Sequence, residues 1–166
     1  MSNNVEGCSE TAVPVRLDAI DRQILKELQT DGRMTNVELA HRVGISAPPC
    51  LRRVRALEQA GYITGYRALL DAKLLGYEVT VFAMVHLASQ AEADLNAFEA
   101  FVRGQPLVRE CWMLSGEVDF ILKGVAPDLK TFQAFVAELT AAPLVRNVKT
   151  SLTLRNSKDA PIVPME

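Results

Sequence analysis

The sequence is short of the features that define several other classes of protein. It holds three cysteines and two histidines in 166 residues. Cys8, Cys50 and Cys111 are odd in number, widely spaced and form no Cys-x-x-Cys pair, so neither a disulfide framework nor a zinc site is expected. His41 and His86 lie far apart, and no Gly-x-Ser-x-Gly, phosphate-binding glycine loop or metal-ligand cluster accompanies them. The carboxylates Glu117 and Asp119 stand two residues apart, a spacing common in turns. Enzyme activity, a metal and a cofactor are therefore all unexpected. No run of about 18 uninterrupted apolar residues occurs, which excludes a membrane-spanning helix of ordinary length. The first fourteen residues lack both a basic start and an apolar run, so no signal peptide is expected. A reducing cytoplasm is the simplest setting. Positive charge is also lacking, since the net charge is -2, which argues against a generic nucleic-acid binder.

What is present is unevenly distributed. Half the residues, 49%, are apolar, enough to bury a core in one domain or two small ones. From Arg16 to Arg67 nine basic residues face six acidic ones, a net of +3, which leaves -5 on the remainder. A basic head joined to a different kind of domain would carry charge in this way.

The head is organised around Thr35 to Ile63. Thr35 and Glu38 have the spacing of a capping box, which predicts a helix from Asn36 with Val37, Leu39, Ala40 and Val43 on its apolar side. Gly44 stands where a helix ends in a left-handed residue, and Ser46 is placed to cap the next helix. Two helices joined by so short a turn form a helix-turn-helix. On the second helix Cys50, Leu51, Val54 and Leu57 share one side, while Arg52 points away, flanked by Arg53 and Arg55. Guanidinium groups match phosphate oxygens and the O6/N7 edge of guanine, so this face suits the major groove of double-stranded DNA. Pro48 and Pro49 stiffen the helix start, the end nearest the bases. The candidate DNA-binding residues are Thr35, Asn36, Ser46, Ala47, Pro48, Pro49, Arg52, Arg53 and Arg55. Ahead of them, Asp18 and Asp21 start a helix with Ile20, Ile24, Leu25 and Leu28 inward, and Tyr62 to Leu70 reads as a strand leaving the head.

Beyond Gly76 the period changes to two. Glu78 to Leu87 is largely apolar on both faces, which predicts a strand covered by helices on one side and by a second subunit on the other. Helices from Glu92 to Arg103 and after Asp128 alternate with strands at Val108 to Leu114, Val118 to Val125 and Val145 to Leu154. Phe98-Glu99-Ala100-Phe101-Val102 recurs as Phe132-Gln133-Ala134-Phe135-Val136, and Pro106-Leu107-Val108-Arg109 as Pro143-Leu144-Val145-Arg146. A β-α-β half used twice is the ferredoxin-like sandwich. The expected fold is α+β: a tail (1–16), a winged helix-turn-helix domain (17–63), a strand and hinge (64–76), a ferredoxin-like domain (77–155) and a tail (156–166).

Leu17-Asp18-x-x-Asp21-x-x-Ile24-Leu25, Ser46-x-x-Pro49-Cys50-Leu51-x-Arg53-Val54-x-x-Leu57-Glu58-x-x-Gly61-x-Ile63 and the turn Ser115-Gly116-Glu117-Val118-Asp119-Phe120 together resemble the Lrp/AsnC family of bacterial and archaeal transcription factors. The resemblance spans roughly Leu17 to Arg155. It implies a cytoplasmic, nucleoid-associated regulator whose dimers stack into octamers or similar rings. It also implies a small effector, usually an amino acid, bound where dimers meet. Carried over, the effector residues are Met113, Leu114, Ser115, Gly116, Glu117 and Asp119, with Ser151, Leu152 and Thr153 from the last strand. Many family members have Asp at the position of Glu117 and Tyr at that of Ser151, so the resemblance does not identify the ligand. A ligand-independent architectural protein that organises chromosomal DNA is the alternative.

Overall fold

The computed structural model describes residues 16–159 and 162–165. Most of the expected N-terminal tail, Cys8 included, lies outside the described residues. By contact the chain divides into two units, one reaching Leu69 and the other spanning Leu70–Asp159, with residues 162–165 belonging to the first.

In the first unit α1 (Ala19–Thr30), α2 (Asn36–Arg42) and α3 (Ala47–Gln59) enclose Ile24, Leu39, Ala40, Cys50 and Leu57. The complete capping box belongs to α1. The Asp18 carboxylate accepts from the Asp21 amide at 2.8 Å, and that of Asp21 accepts from the Asp18 amide at 3.2 Å. At α2 only half of the expected box forms: Thr35 accepts from the Glu38 amide, while the Glu38 carboxylate pairs with Arg42 at 2.6 Å. Gly44, at φ 73°, ends α2, and the bonds from Ile45 N to Ala40 O and from Gly44 N to His41 O complete a Schellman motif. The same motif ends α3 at Gly61.

Four expectations need correction here. Ser46 occupies the N-cap of α3 but makes no side-chain cap bond. A capping oxygen accepts from the second or third helical amide, and those positions are Pro48 and Pro49, which have none. Val37 is 71% exposed, because it projects beside the Leu39–Ala40–Val43 stripe rather than along it. Leu51 likewise lies outside the core. Residues 62–70 form no strand, since a strand needs a backbone partner and no ladder reaches them among the described residues. Tyr66 is instead fastened by its hydroxyl to Glu58 at 3.0 Å; burial, reinforced by that carboxylate, pushes its phenol up to about 12.

The second unit runs β1 (Val79–Leu87), α4 (Glu92–Arg103), β2 (Val108–Met113), β3 (Phe120–Ala126), α5 (Leu129–Ala141) and β4 (Val145–Leu152). The strands pair antiparallel in the order β2-β3-β1-β4, the ferredoxin-like arrangement. Val81, Ala83, Val85 and Leu87 pack with Phe120 and Leu122 against Phe98 and Val102 of α4 and Phe132, Phe135 and Leu139 of α5. The repeated Phe-x-x-x-Val stretches thus supply matching helix faces. On the other face Phe82, Met84, His86, Ile121 and Val125 are half-buried and Trp112 is exposed.

The Phe98 and Phe120 ring centroids lie 4.7 Å apart in this core. Phe98→Ala is expected to destabilise the second unit by about 3–5 kcal/mol. Urea unfolding followed through the single tryptophan, Trp112, measures it.

Candidate DNA-binding and effector sites

Helix α3 turns Cys50, Leu57 and, in part, Val54 inward. Its exposed side carries Pro48, Leu51, Arg52, Arg55, Ala56 and Gln59 around a shallow concavity of about 340 Å³. Arg52 and Arg55 therefore point to solvent as the wheel predicts, and Thr35, Ser46 and Pro48 are exposed with them.

Arg53 does not join that face. Its guanidinium donates to Asp18 and to Asp21, each at 2.7 Å, and the side chain is 31% exposed. Its hydrogen bonds to Asp21 first and Asp18 second hold it more firmly protonated than a free arginine. The Asp18 carboxyl is lowered chiefly by the Asp21 amide; burial opposes the shift and Arg53 adds to it. Position 53 follows Cys50 by three residues, which turns it toward α1 rather than outward. It is a positioning residue that ties α3 to the capped start of α1. Asn36 is likewise engaged within the head, its Nδ2 donating to the Ala47 carbonyl at 2.8 Å and bracing the turn. Ala47 and Pro49 are half-buried beside it. Sequence reasoning left out Leu51, Ala56 and Gln59; a wheel centred on the buried Cys50 and Leu57 puts Gln59 nearly opposite them and Leu51 and Ala56 equally far to either side.

The effector candidates fall into two groups. Met113, Leu114, Ser115, Gly116 and Glu117 are exposed on a turn closed by the bond from Leu114 N to Asp119 O, with Gly116 at φ 133°. Asp119 is different, because it is 7% exposed and both carboxylate oxygens are occupied, by Leu87 N and by Gln90 Nε2, each at 2.7 Å. Its role is to clamp the end of β1 to the start of β3, so it is not a free acid for a ligand. The second group, Ser151, Leu152 and Thr153, is exposed at the end of β4.

These groups do not meet within one protomer. Ser151 lies opposite Phe82 and Leu152 opposite Val81, whereas Asp119 bonds to Val85 O and Leu87 N at the other end of β1. Five residues of strand separate Phe82 from Leu87, roughly 16 Å. A separate cleft of about 350 Å³ lies between α4 and β2 and takes only Met113 from the expected set. In it Arg103 is paired with Glu99 at 3.2 Å, and Arg109 donates to the Val108 and Pro106 carbonyls. Burial, then Glu99, pushes the Cys111 thiol up, and burial does the same to Cys50, so both stay protonated packing groups.

A reading helix presented by a capped three-helix head, with a sheet domain whose polar turn and strand end are open, makes a DNA-binding transcription regulator with an effector-binding domain. Comparison with known proteins gives the same class. Residues 17–64 match the winged helix-turn-helix DNA-binding model and residues 80–163 the Lrp/AsnC ligand binding domain model. The leucine-responsive regulatory protein of Rhizobium meliloti (strain 1021) is 62% identical over 149 residues, covering 89% of this chain and 96% of that protein. That of Escherichia coli (strain K12) is 40% identical over 145 residues, covering 87% and 88%. Among solved structures, a Neisseria meningitidis transcriptional regulator in complex with L-Met superposes with a TM-score of 0.86 at 37% identity, covering 90% of this chain and 97% of the other. Escherichia coli AsnC gives 0.82 at 27%, covering 90% and 100%. The chain belongs to the Lrp/AsnC family of transcription regulators and is not an enzyme.

Arg53→Ala is expected to lower the melting temperature of the head but leave the steepness of log affinity against log salt unchanged, because no phosphate contact is lost. Arg52→Ala or Arg55→Ala should reduce that steepness by about one wherever the arginine neutralises a phosphate. Titration of DNA binding between low and high salt separates the two roles. The lowered Asp18 carboxyl contributes stability above its ordinary value of 3.8 and loses it as the pH falls through the lowered value. Asp18→Asn should flatten that acid limb of the melting-temperature profile.

Proposed function

We propose that this regulator works as a homodimer, assembling further into an octamer or similar ring, whose DNA binding is tuned by an amino acid bound where copies meet. The observation that carries this reading is the separation of the exposed turn at residues 113–117 from Ser151–Thr153 along β1. Each end of the sheet offers half of a polar lining, so a second copy is needed to complete it. Glu117 supplies a carboxylate for an α-ammonium group, and the turn amides and the Ser115, Ser151 and Thr153 hydroxyls suit an α-carboxylate. The apolar sheet face bearing Phe82, Met84 and Ile121 supports pairing of the same kind. So does the extended segment at residues 64–70, where Leu69 and Leu70 are 88% and 72% exposed and the backbone ladder is open to another chain. The L-Met complex of the Neisseria meningitidis relative supports an amino acid as the class of ligand. Among the described residues no helix is long and apolar enough to cross a membrane, consistent with a site of action in the cytoplasm on the nucleoid.

A ligand that favours one assembly over another shifts the spacing of the heads only by its differential affinity for the two. Two heads per dimer match a pseudo-palindromic operator with half-sites about one helical turn apart.

Thermal denaturation against each of the twenty amino acids tests the reading. The effector, at 100 times its dissociation constant, stabilises by about 2.7 kcal/mol. Glu117→Ala removes the shift and preserves DNA binding. An unchanged melting temperature with all twenty would favour a ligand-independent architectural role. Met84→Asp, which places a charge on the open sheet face, should lower the sedimentation coefficient from that of an oligomer toward that of a monomer.

A further inference from the structure

Helix α3 carries an exposed apolar side chain that neither its fold nor its charge accounts for. Leu51 is 38% exposed and belongs neither to the buried centre of the head nor to its half-buried surround. It stands fifth in α3, in the half of a reading helix that lies nearest the base edges. Pro48, one turn before it, and Arg55, one turn after it, are its neighbours on the helix surface, and all three line the concavity of about 340 Å³ together with Arg52. Neither Arg52 nor Arg55 has an ion-pair partner among the described residues. An apolar floor is thus framed by two uncompensated guanidinium groups.

That combination specifies its occupant. The two arginines favour a polyanion, and a leucine cannot donate to or accept from any base edge. The one apolar group in the major groove is the C5-methyl of thymine. We infer that Leu51 reads a thymine methyl in each half-site, so that operator preference combines this apolar contact with arginine contacts to guanine or phosphate on either side. The inference rests on α3 being the reading helix and adds what that helix reads. It gives Leu51 a specificity role and leaves overall affinity to Arg52 and Arg55.

The test uses the full chain and a pool of randomised DNA duplexes. Wild-type protein and Leu51→Ala each select from the pool, and the wild-type consensus is then remade with deoxyuridine replacing each thymine in turn. Deoxyuridine lacks only the methyl. At one thymine per half-site the replacement should weaken the wild type about fourfold, the ~0.8 kcal/mol of one buried carbon group. Leu51→Ala should bind the two duplexes equally, with its melting temperature unchanged. Leu51→Gln, whose amide suits the N6/N7 edge of adenine, should move the selected base at that position from thymine to adenine. A wild type that selects a clear site but is indifferent to every methyl overturns the thymine reading alone; Leu51 would then pack on the sugar-phosphate backbone or face another protein. Equal thymine preference in Leu51→Ala does the same. Failure of the wild type to select any sequence overturns the assignment of α3 itself.

Discussion

The guanidinium of Arg53, held 2.7 Å from both the Asp18 and the Asp21 carboxylates, sets the geometry on which DNA reading depends. Asp18 and Asp21 are themselves fixed by a reciprocal capping box, so the anion pair that receives Arg53 is ordered by the backbone of α1 rather than by side-chain chance. A single exposed ion pair contributes little, but one guanidinium shared by two preorganised carboxylates ties α3 to the start of α1. With Cys50 and Leu57 buried, Arg52, Arg55 and Leu51 are left facing outward. Arg42, bonded to Glu27 of α1 and Glu38 of its own helix, fastens α2 in the same manner. The head is thus a small apolar centre fastened by two arginines engaged with carboxylates of its own.

The second unit uses a buried carboxylate for a comparable purpose. Asp119 joins β1 to β3 through Leu87 N and bonds the side chain of Gln90, leaving the neighbouring turn free to project. A buried polar side chain is tolerated only with its hydrogen-bonding atoms satisfied, and here both oxygens are. The exposed turn is therefore hydrogen-bonded at its base, with Ser115 and Glu117 exposed on it. With both helices packed on one face of the sheet, the opposite face keeps enough apolar surface to pair with a second chain.

Much of this was legible in the sequence. The glycine stop at Gly44, the strand period after Gly76 and the duplicated Phe-x-x-x-Val stretches each rest on local geometry, and the elements fall where those signals put them. The errors came where two local rules competed for one group. Glu38 could cap Thr35 or pair with Arg42, and the ion pair prevailed. Ser46 had the identity of a cap, but the two prolines after it removed the amides it would have accepted from. Arg53 and Asp119 had the identity of ligand-binding residues and became internal fasteners, because partners distant in sequence reached them first.

The sequence by itself determined the order of helices and strands, the position of the helix-turn-helix, the ferredoxin-like topology and the family, since all of these follow from period, capping and turn chemistry within short windows. Only the tertiary structure decided which arginines face outward and which carboxylate is occupied, because those outcomes depend on contacts such as Asp18 with Arg53 and Leu87 with Asp119. It also decided that Ser151 and the 113–117 turn sit at opposite ends of β1, since register along a shared strand is a property of three-dimensional pairing.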